Sequence, residues 1–255
     1  AAAGPDSVAP AAASPVPPSA TVLVVGSTGQ TGRRVVAALR ARGFTVKAGV
    51  RDINKAQGTG MAMDPGVTLV KADVLDKQTL SAAVAGVDAV VCATGYSGFN
   101  PKGFGDVDEI GTKNLVDAAV AAGVPRFVLL SSLLTNAQAV GQAENPNYKF
   151  LNLFGGVLDH KLAAEKHLRS SGMAWTIVRP GGLSNDTPDK VGNLVVGAED
   201  TLFGLESDPG REISRDTVAQ VLVAALQQGA ADNKVVEIVS SPSKAELPED
   251  KWFAV

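Results

Sequence analysis

The sequence is poor in the residues that form disulfides and hold metal ions. It contains one cysteine, Cys92, and two histidines, His160 and His167, among 255 residues. A single cysteine excludes a disulfide within the chain and is typical of a reducing compartment. Its apolar neighbours predict a small buried side chain. The cysteine and the histidines match no metal-ligand spacing.

Long basic runs and long apolar runs are also lacking. Lys and Arg number 23 against 26 Asp and Glu, which gives a formal net charge of -3 and argues against a nucleic-acid partner. No apolar stretch approaches the ~20 residues of a transmembrane segment. The length and the 45% of hydrophobic residues are typical of a soluble protein with one large α/β domain.

Composition divides the chain into three parts. Residues 1–20 are almost entirely Ala, Pro, Ser and Gly, which predicts a flexible tail; the remnant of a cleaved organellar targeting peptide is an open alternative. Residues 21–240 are expected to form the nucleotide-binding domain with its substrate-side loops. Residues 241–255 form a predicted C-terminal tail, in which Trp252 and Phe253 indicate partner binding if exposed and ordinary packing if buried.

Strand-like and helix-like runs alternate through the central part. Several strand-like runs are continuously apolar, such as Val-Leu-Val-Val and Phe-Val-Leu-Leu, as in strands covered on both faces. The alternation predicts an α/β fold with right-handed βαβ units and a doubly wound, mostly parallel sheet, which binds ligands outside the carboxyl ends of its strands. Residues 135–156 and 182–212 show no period and are assigned to a small substrate-side elaboration late in the chain. The predicted strands are 21–26, 45–50, 67–71, 88–93, 126–131, 174–179 and 234–239, and the predicted helices are 31–42, 77–85, 106–122, 157–171 and 215–228.

A glycine-rich turn joins the first predicted strand to the first predicted helix. Gly26 permits the tight turn, Gly29 lets the backbone approach a dinucleotide pyrophosphate, and Gly32 lets the helix pack closely on the strand. The first N–H groups of this helix lie at the positive end of its dipole and suit a phosphate. The alternative is a glycine-rich turn without a ligand. The predicted pyrophosphate-binding residues are Gly26, Thr28, Gly29, Gln30, Thr31 and Gly32.

The end of the second predicted strand bears on the choice of cofactor. It reads Val50-Arg51-Asp52. An acidic residue here accepts hydrogen bonds from the ribose 2′-OH of NAD, whereas an Arg meets the 2′-phosphate of NADP. Because Arg51 comes first, and Arg33, Arg34 and Lys55 can add positive charge nearby, the sequence favours NADP(H) over NAD(H). The alternative for Arg51 is a solvated charge at a strand end.

The next two strand ends supply further candidates. Asp73, followed by Val74, can accept a hydrogen bond from the adenine amino group or can act as a turn or capping residue; the sequence leaves both open. Small residues close the fourth predicted strand, where the backbone can pass close to the cofactor ribose. These residues are Ala93, Thr94 and Gly95.

Together these motifs resemble the atypical short-chain dehydrogenase/reductase family over roughly residues 20–240. More narrowly, the chain is similar to plant and algal chloroplast members of the family. Those are similar to the NAD(P)H-binding domain of an inner-envelope translocon subunit that docks ferredoxin–NADP reductase, and to flavin and biliverdin reductases. The other segments that carry the resemblance are Ala72-Asp73-Val74, Val107 to Val116, Phe127 to Ser132, Lys161 to Glu165 and Thr176 to Gly182.

The resemblance implies a Rossmann fold that binds NADP, a chloroplast location at the stroma or peripheral to a plastid membrane, and an association with a chloroplast protein complex. It implies that Ser131, Ser132 and Lys161 lie near the nicotinamide as the candidate catalytic residues, with Lys161 also holding the ribose. It places the turn formed by Arg179, Pro180, Gly181 and Gly182 at the same end of the cofactor.

The chain departs from the family at the proton donor. Classical members carry a Tyr four residues before the Lys, on the same helix face, but that position here is Val157. Tyr148 precedes Asn152 rather than a Lys, and His160 beside Lys161 is a weaker candidate acid. Two hypotheses remain: a reductase that passes hydride to a flavin, quinone or tetrapyrrole-like acceptor without the Tyr, and a catalytically silent NADPH-binding subunit.

Residues 148–156 are rich in large apolar groups. They can form a wall or lid over a flat aromatic substrate, a docking patch for another protein, or a loop buried on the core.

Overall fold

A mostly parallel sheet organises residues 14–255, the part of the chain that the computed structural model describes. Ten strands are present there: β1 Thr21–Val25, β2 Thr45–Val50, β3 Val67–Lys71, β4 Ala89–Cys92, β5 Arg126–Leu130, β6 Ala174–Pro180, β7 Gly182–Ser184, β8 Asn193–Gly197, β9 Glu212–Ser214 and β10 Lys234–Ser241. Eight of them form one sheet in the order β3-β2-β1-β4-β5-β6-β10-β8, in which only β10 and β8 pair antiparallel. The strand order reverses between β1 and β4, which confirms the predicted doubly wound topology.

Helices connect the strands. Within residues 14–255 the α-helices are α1 Gly32–Ala41, α2 Ile53–Gln57, α3 Lys77–Val84, α4 Lys102–Phe104, α5 Thr112–Ala121, α6 Pro146–Asn152, α7 Val157–Arg169, α8 Pro188–Val191 and α9 Arg215–Gln227. A π-helical segment, Gly105–Gly111, joins α4 to α5. The observed helical stretch therefore begins at Lys102, four residues before the start of the helix predicted at 106–122. Short 3₁₀ turns occupy Met61–Met63, Gly229–Ala231 and Glu249–Lys251.

The apolar strands are buried on both faces, as their composition predicts. Along β1, Val22 and Val24 pack with α1 and α9 on one face, and Leu23 packs with α3, α5 and α7 on the other. Burial of each such side chain contributes about 1.5–3 kcal/mol. Because neither face is solvated, β1 needs no alternation of polar and apolar residues.

The two stretches without a period contain short elements. α6 lies in the first, and β7, α8 and β8 lie in the second, with β9 at its end. β7 and β9 pair parallel as a separate two-stranded sheet beside the carboxyl end of β6. A strand of three residues is too short to show an alternation of polar and apolar side chains in the sequence. β7 and β9 are therefore defined by their pairing with each other and not by a sequence pattern.

The chain packs before the predicted start of the domain. The Val16 side chain is buried, and its N–H donates to the Leu226 carbonyl at 2.8 Å. Ala20 is buried as well. The flexible tail predicted for residues 1–20 is therefore wrong for the residues around Val16, and its part at 1–13 lies outside the described residues.

The C-terminal segment also packs on the domain. Phe253 is completely buried, and its carbonyl accepts a hydrogen bond from Lys234 Nζ at 2.7 Å. Trp252 is half-buried against the core, with Nε1 donating to the Leu247 carbonyl at 2.9 Å. This burial selects the packing alternative for both aromatic residues and removes the argument for partner binding there.

Candidate functional site

A cleft of about 1400 Å³ opens at the carboxyl ends of β1, β4, β5 and β6 and extends over the β7–β9 pair. This is the edge at which open α/β sheets bind dinucleotides. Most of the predicted site residues line it; Gly26, Gly32, Arg51, Asp73 and Val74 lie outside the lining. The lining includes Thr28, Gly29, Gln30, Thr31, Ala93, Thr94, Gly95, Ser131, Ser132, Lys161, Pro180, Gly181 and Gly182.

The three glycines of the first turn differ in what surrounds them. Gly26 has φ +83°, and a Cβ on it would lie 2.8 Å from the Ala93 carbonyl oxygen. A Cβ on Gly32 would lie 2.1 Å from the Gly26 carbonyl oxygen, closer than atoms can approach. A Cβ on Gly29 would meet only that same oxygen, at 3.2 Å. Gly26 and Gly32 are therefore needed by the fold, whereas the hydrogen of Gly29 leaves the cleft open.

The start of α1 is suited to an anion. Thr31 occupies its N-cap position but makes no side-chain hydrogen bond to the first turn. The loop is held in place by Ser27, whose buried hydroxyl donates to the Gly49 carbonyl at 3.0 Å, and by Arg34, which donates to the Gln30 carbonyl at 2.7 Å. Amides left without a side-chain cap, at the positive end of a helix dipole, are the groups that bind a pyrophosphate.

The end of β2 leaves Arg51 available. Arg51 is exposed and forms neither an ion pair nor a side-chain hydrogen bond within residues 14–255. Asp52 instead caps α2, accepting the Lys55 N–H at 3.1 Å. Arg34 is bound to Asp216 at 2.9 Å, so its charge is already paired. Arg51, for which the sequence analysis predicts contact with the 2′-phosphate, is therefore not engaged by another side chain of the described residues.

Asp73 and Val74 have other contacts in the structure. Asp73 Oδ1 accepts the Leu75 N–H at 3.0 Å, which is the turn alternative. The Val74 side chain is buried in the core, and its carbonyl accepts a hydrogen bond from Asn114 Nδ2 at 3.0 Å. Neither residue is part of the cleft lining.

Lys161 lies in the cleft with a partner that the sequence analysis did not single out. Its Nζ is 2.8 Å from Oδ1 of Asp108, whose side chain is almost fully buried. Asp108 Oδ2 accepts the Tyr96 N–H at 3.1 Å. Asp108 lies in the π-helical segment, an irregularity frequent at functional sites. The sequence did contain a signal for Asp108: it is an acidic residue on the face of a predicted helix that packs against the protein interior.

The two serines have different surroundings. The Ser131 hydroxyl donates to Oε1 of the buried Glu165, so it is engaged beneath the cleft. Ser132 is half-buried and lines the cleft, and its hydroxyl has no hydrogen-bond partner in residues 14–255. Of the pair, Ser132 is the one free to contact a ligand.

Arg179 is part of a buried charge network rather than of the cleft. It donates to Glu165 at 2.7 Å, to Asp200 at 2.7 Å and to Glu237 at 3.3 Å. Burial opposes its charge, but Glu165 and its other acidic neighbours more than compensate and raise the Arg179 pKa. The expectation that the Arg179 side chain lies at the nicotinamide end of the cofactor is therefore wrong. The next residue, Pro180, does line the cleft.

Glu237, at the centre of this network, holds a neighbouring loop. Its carboxylate accepts the backbone N–H groups of Asp200 at 3.1 Å, Thr201 at 3.0 Å and Leu202 at 2.7 Å. Burial raises the pKa of Glu237, and the amides and Arg179 offset this only in part. The loop that begins at Asp200 leads to Gly204, which lines the cleft.

The classical proton donor is absent from its usual place. Val157 lines the cleft one turn before Lys161. The Tyr148 hydroxyl, outside the lining, donates to Asp159 at 2.6 Å, and burial followed by Asp159 raises the Tyr148 pKa. His160 is also outside the lining, with Nδ1 2.6 Å from Glu109.

An apolar surface at the rim of the cleft comes from α6 and the residues after it. Phe150 and Leu151 are exposed and line the cleft, and Leu153 and Phe154 are exposed beyond it. The start of α6 is tied to the loop that follows β8, because Asn145 Nδ2 donates to the Phe203 carbonyl at 3.0 Å. The alternative that residues 148–156 form a loop buried on the core is therefore wrong, because four of their large apolar side chains are exposed. The other two alternatives, a wall over a substrate and a docking patch for another protein, both agree with this exposure.

No helix within residues 14–255 has the length and apolarity that a bilayer crossing requires. Across those residues, no group of three or more His, Cys, Asp or Glu is arranged to hold a metal ion.

Comparison with known proteins agrees with the site. The chloroplastic Arabidopsis thaliana protein At2g34460 is 51% identical over 234 residues, which cover 91% of this chain and 79% of that protein. Protein TIC 62, chloroplastic, from Pisum sativum is 34% identical over 251 residues, 90% of this chain but only 45% of that longer protein. The chloroplast relationship expected from the sequence is thereby confirmed.

A solved structure shows the same architecture. A Bacillus halodurans protein assigned as a NAD-dependent epimerase/dehydratase superposes with a TM-score of 0.72 at 27% identity, over 92% of this chain and 99% of that one. The sequence pattern of the NAD(P)H-binding family matches residues 26–229, from the first glycine of the turn to the 3₁₀ turn that follows α9. The cleft, the glycine turn and these matches together establish that the chain belongs to the NAD(P)H-binding family of Rossmann-fold proteins.

Proposed function

We propose that the chain is an NADPH-dependent reductase of the chloroplast that passes hydride to a flat conjugated acceptor such as a flavin, a quinone or a linear tetrapyrrole. The observation that carries the proposal is the joining of the glycine turn, Lys161 and an apolar rim in one cleft. When bound, NADPH supplies the hydride, and a conjugated acceptor can receive it without a tyrosine acid.

The residues present fit a nicotinamide cofactor. The uncapped start of α1 would hold the pyrophosphate beside Gly29, and the free Arg51 would hold the 2′-phosphate, which favours NADP(H) over NAD(H). Lys161 would bind the nicotinamide ribose, with Ser132 beside it. Phe150 and Leu151 would cover the ring system of the acceptor and exclude water from it. Since Val157 has no ionisable proton to donate, the acceptor would take its proton from solvent or from another side chain of the cleft.

The test is the absorbance of NADPH in the presence of a panel of acceptors: FMN, a water-soluble quinone and biliverdin. We expect oxidation with at least one of them, and none when Gly29→Val removes the cofactor site. Tight binding of NADPH with no oxidation by any acceptor would overturn the reductase proposal.

A second function is favoured by two observations. The usual tyrosine position is Val157, and four large apolar side chains lie exposed at the rim, two of them, Leu153 and Phe154, outside the cleft. A silent NADPH-binding subunit docked in a chloroplast complex would use both features. It predicts unchanged NADPH when acceptors are added, and it predicts that Leu153→Ser with Phe154→Ser leaves NADPH binding intact while abolishing association with the complex.

A further inference from the structure

Asp108 and Lys161 form a charge pair that is shielded from water inside the cleft. The Asp108 side chain is 1% exposed and the Lys161 side chain 17%, and Oδ1 and Nζ are 2.8 Å apart. Both residues line the cleft. Because opposite charges at this distance cancel each other's field, this part of the wall presents almost no net charge to a ligand.

The two oxygens of Asp108 are not equally satisfied. Oδ2 accepts the Tyr96 N–H, whereas Oδ1 accepts no hydrogen bond of regular geometry within residues 14–255, despite the adjacent ammonium group. A Cβ on Gly95 would lie 3.7 Å from Oδ1, so the oxygen lies beside the cleft wall. The Lys161 ammonium is therefore the only polar partner of Oδ1 among the described residues, and the position of this oxygen beside a ligand site points to a role in that site.

The topology assigns this pair to one half of a dinucleotide. A dinucleotide crosses the crevice where the strand order reverses, which is between β1 and β4. Arg51 ends β2, so the adenylate half extends toward β2 and β3. The nicotinamide half then extends toward β4 and β5, the side on which Gly95, Ser132 and Lys161 line the cleft.

The nicotinamide ring changes its charge with its oxidation state. It is a cation when oxidised and neutral when reduced. A lone ammonium group beside the ring would oppose the oxidised form, and a lone carboxylate would attract it. We propose that Asp108 sets the preference of this chain between NADP⁺ and NADPH, because its carboxylate cancels the charge of Lys161 where the ring lies. The inference rests on the proposed binding of the cofactor, but not on turnover.

The test is a titration of NADP⁺ and of NADPH against the intact chain and its variants, with the ratio of the two dissociation constants as the readout. Asp108→Asn keeps the shape and an oxygen for the Tyr96 N–H, and leaves Lys161 unbalanced. We expect it to weaken NADP⁺ about tenfold more than NADPH, equivalent to about 1.4 kcal/mol. Lys161→Met should shift the ratio the opposite way, and the double variant should return it to the wild-type value.

A matched control lies one residue away. Glu109 has the same charge on the same segment but pairs with His160 and Lys113 and does not line the cleft, so Glu109→Gln should leave the ratio unchanged. Equal loss of both cofactor forms in Asp108→Asn would show that Asp108 only positions Lys161, and would overturn the inference. If that variant does not fold, an unchanged ratio in Lys161→Met is sufficient to overturn it.

The outcomes also separate this inference from the proposed function. Absence of binding to either form contradicts the cofactor site itself. Binding of both forms with one ratio in all variants contradicts only the role of Asp108. Oxidation of NADPH by acceptors is measured separately and has no influence on these ratios.

Discussion

Asp52 Oδ1 accepts the backbone N–H of Lys55 at 3.1 Å and so caps the first turn of α2. The carboxylate that the sequence offered for the ribose hydroxyl of NAD is thereby engaged in local structure. Arg51, next to it, has no partner within residues 14–255. This strand end therefore supports the proposal that the cofactor is NADP(H) rather than NAD(H).

Replacement of Arg51 by Ala should weaken NADPH far more than NADH. Loss of one charge-assisted contact costs about 1.5–3 kcal/mol, and NADH lacks the 2′-phosphate to which Arg51 would make that contact. Calorimetric titration of both cofactors measures the difference. Lys244→Ala, at an exposed lysine beyond β10, is the control. Equal losses for NADPH and NADH would contradict the role of Arg51.

Substitution of Gly29 should abolish cofactor binding while the fold survives. A Cβ there meets only the Gly26 carbonyl oxygen, at 3.2 Å, but it occupies the place where the backbone approaches the pyrophosphate. Gly32→Ala provides the contrast, because its Cβ would lie 2.1 Å from that oxygen, and forcing it in should cost about 1–3 kcal/mol of stability. Thermal unfolding and NADPH titration of both variants check this; undiminished binding by Gly29→Val would contradict the site.

Tyr148 should be dispensable for chemistry. Its hydroxyl donates to Asp159 outside the cleft, so Tyr148→Phe should cost about 1 kcal/mol of stability and leave NADPH binding and any turnover unchanged. Tyr96→Phe is the variant for comparison, because it removes a hydroxyl from the other tyrosine of the chain, and Tyr96 does line the cleft. Loss of turnover in Tyr148→Phe, measured by NADPH oxidation, would refute this assignment.

Glu237 should make stability fall as the pH rises above about 4.5, the ordinary pKa of its carboxyl group. Burial raises its pKa in the folded chain, so the folded state binds more protons than the unfolded state in this range, and the slope of unfolding free energy against pH is negative. The contribution is fully present below the unfolded pKa and is lost as the pH passes the raised folded value. Urea unfolding of the wild type and Glu237→Gln across this range measures it. A stability of the wild type, relative to Glu237→Gln, that rises with pH would contradict the prediction.

The regular part of the fold could be predicted from the sequence because its signal is local. The continuous apolar runs place β1, β4 and β5 within one residue of their observed ends, and the helix of residues 157–171 differs from α7 only at its end. Short elements such as β7 and β9 could not be predicted, since pairing between distant segments holds them. Val16 illustrates the same limit: its burial depends on Leu226, more than two hundred positions away.

The candidate site shows the same division. The glycine turn and the position of Lys161 follow from motifs, and the structure brings them into one cleft. The partner of Lys161 is 53 residues before it and belongs to another helix, so no spacing rule links Asp108 to it. Arg179 shows the converse, because its motif suggested a ligand role while three acidic side chains from remote positions hold it in the interior.

The loop held by Glu237 has a consequence for the choice of acceptor. Glu237 fixes the backbone from Asp200 to Leu202, and the next residue, Phe203, anchors Asn145 at the start of α6. The aromatic rim carried by α6 is therefore connected to a carboxylate in the interior through two hydrogen-bonded steps. Under the proposed function, substitutions at that interior position are expected to change which acceptors the protein accepts, although Glu237 contacts none of them.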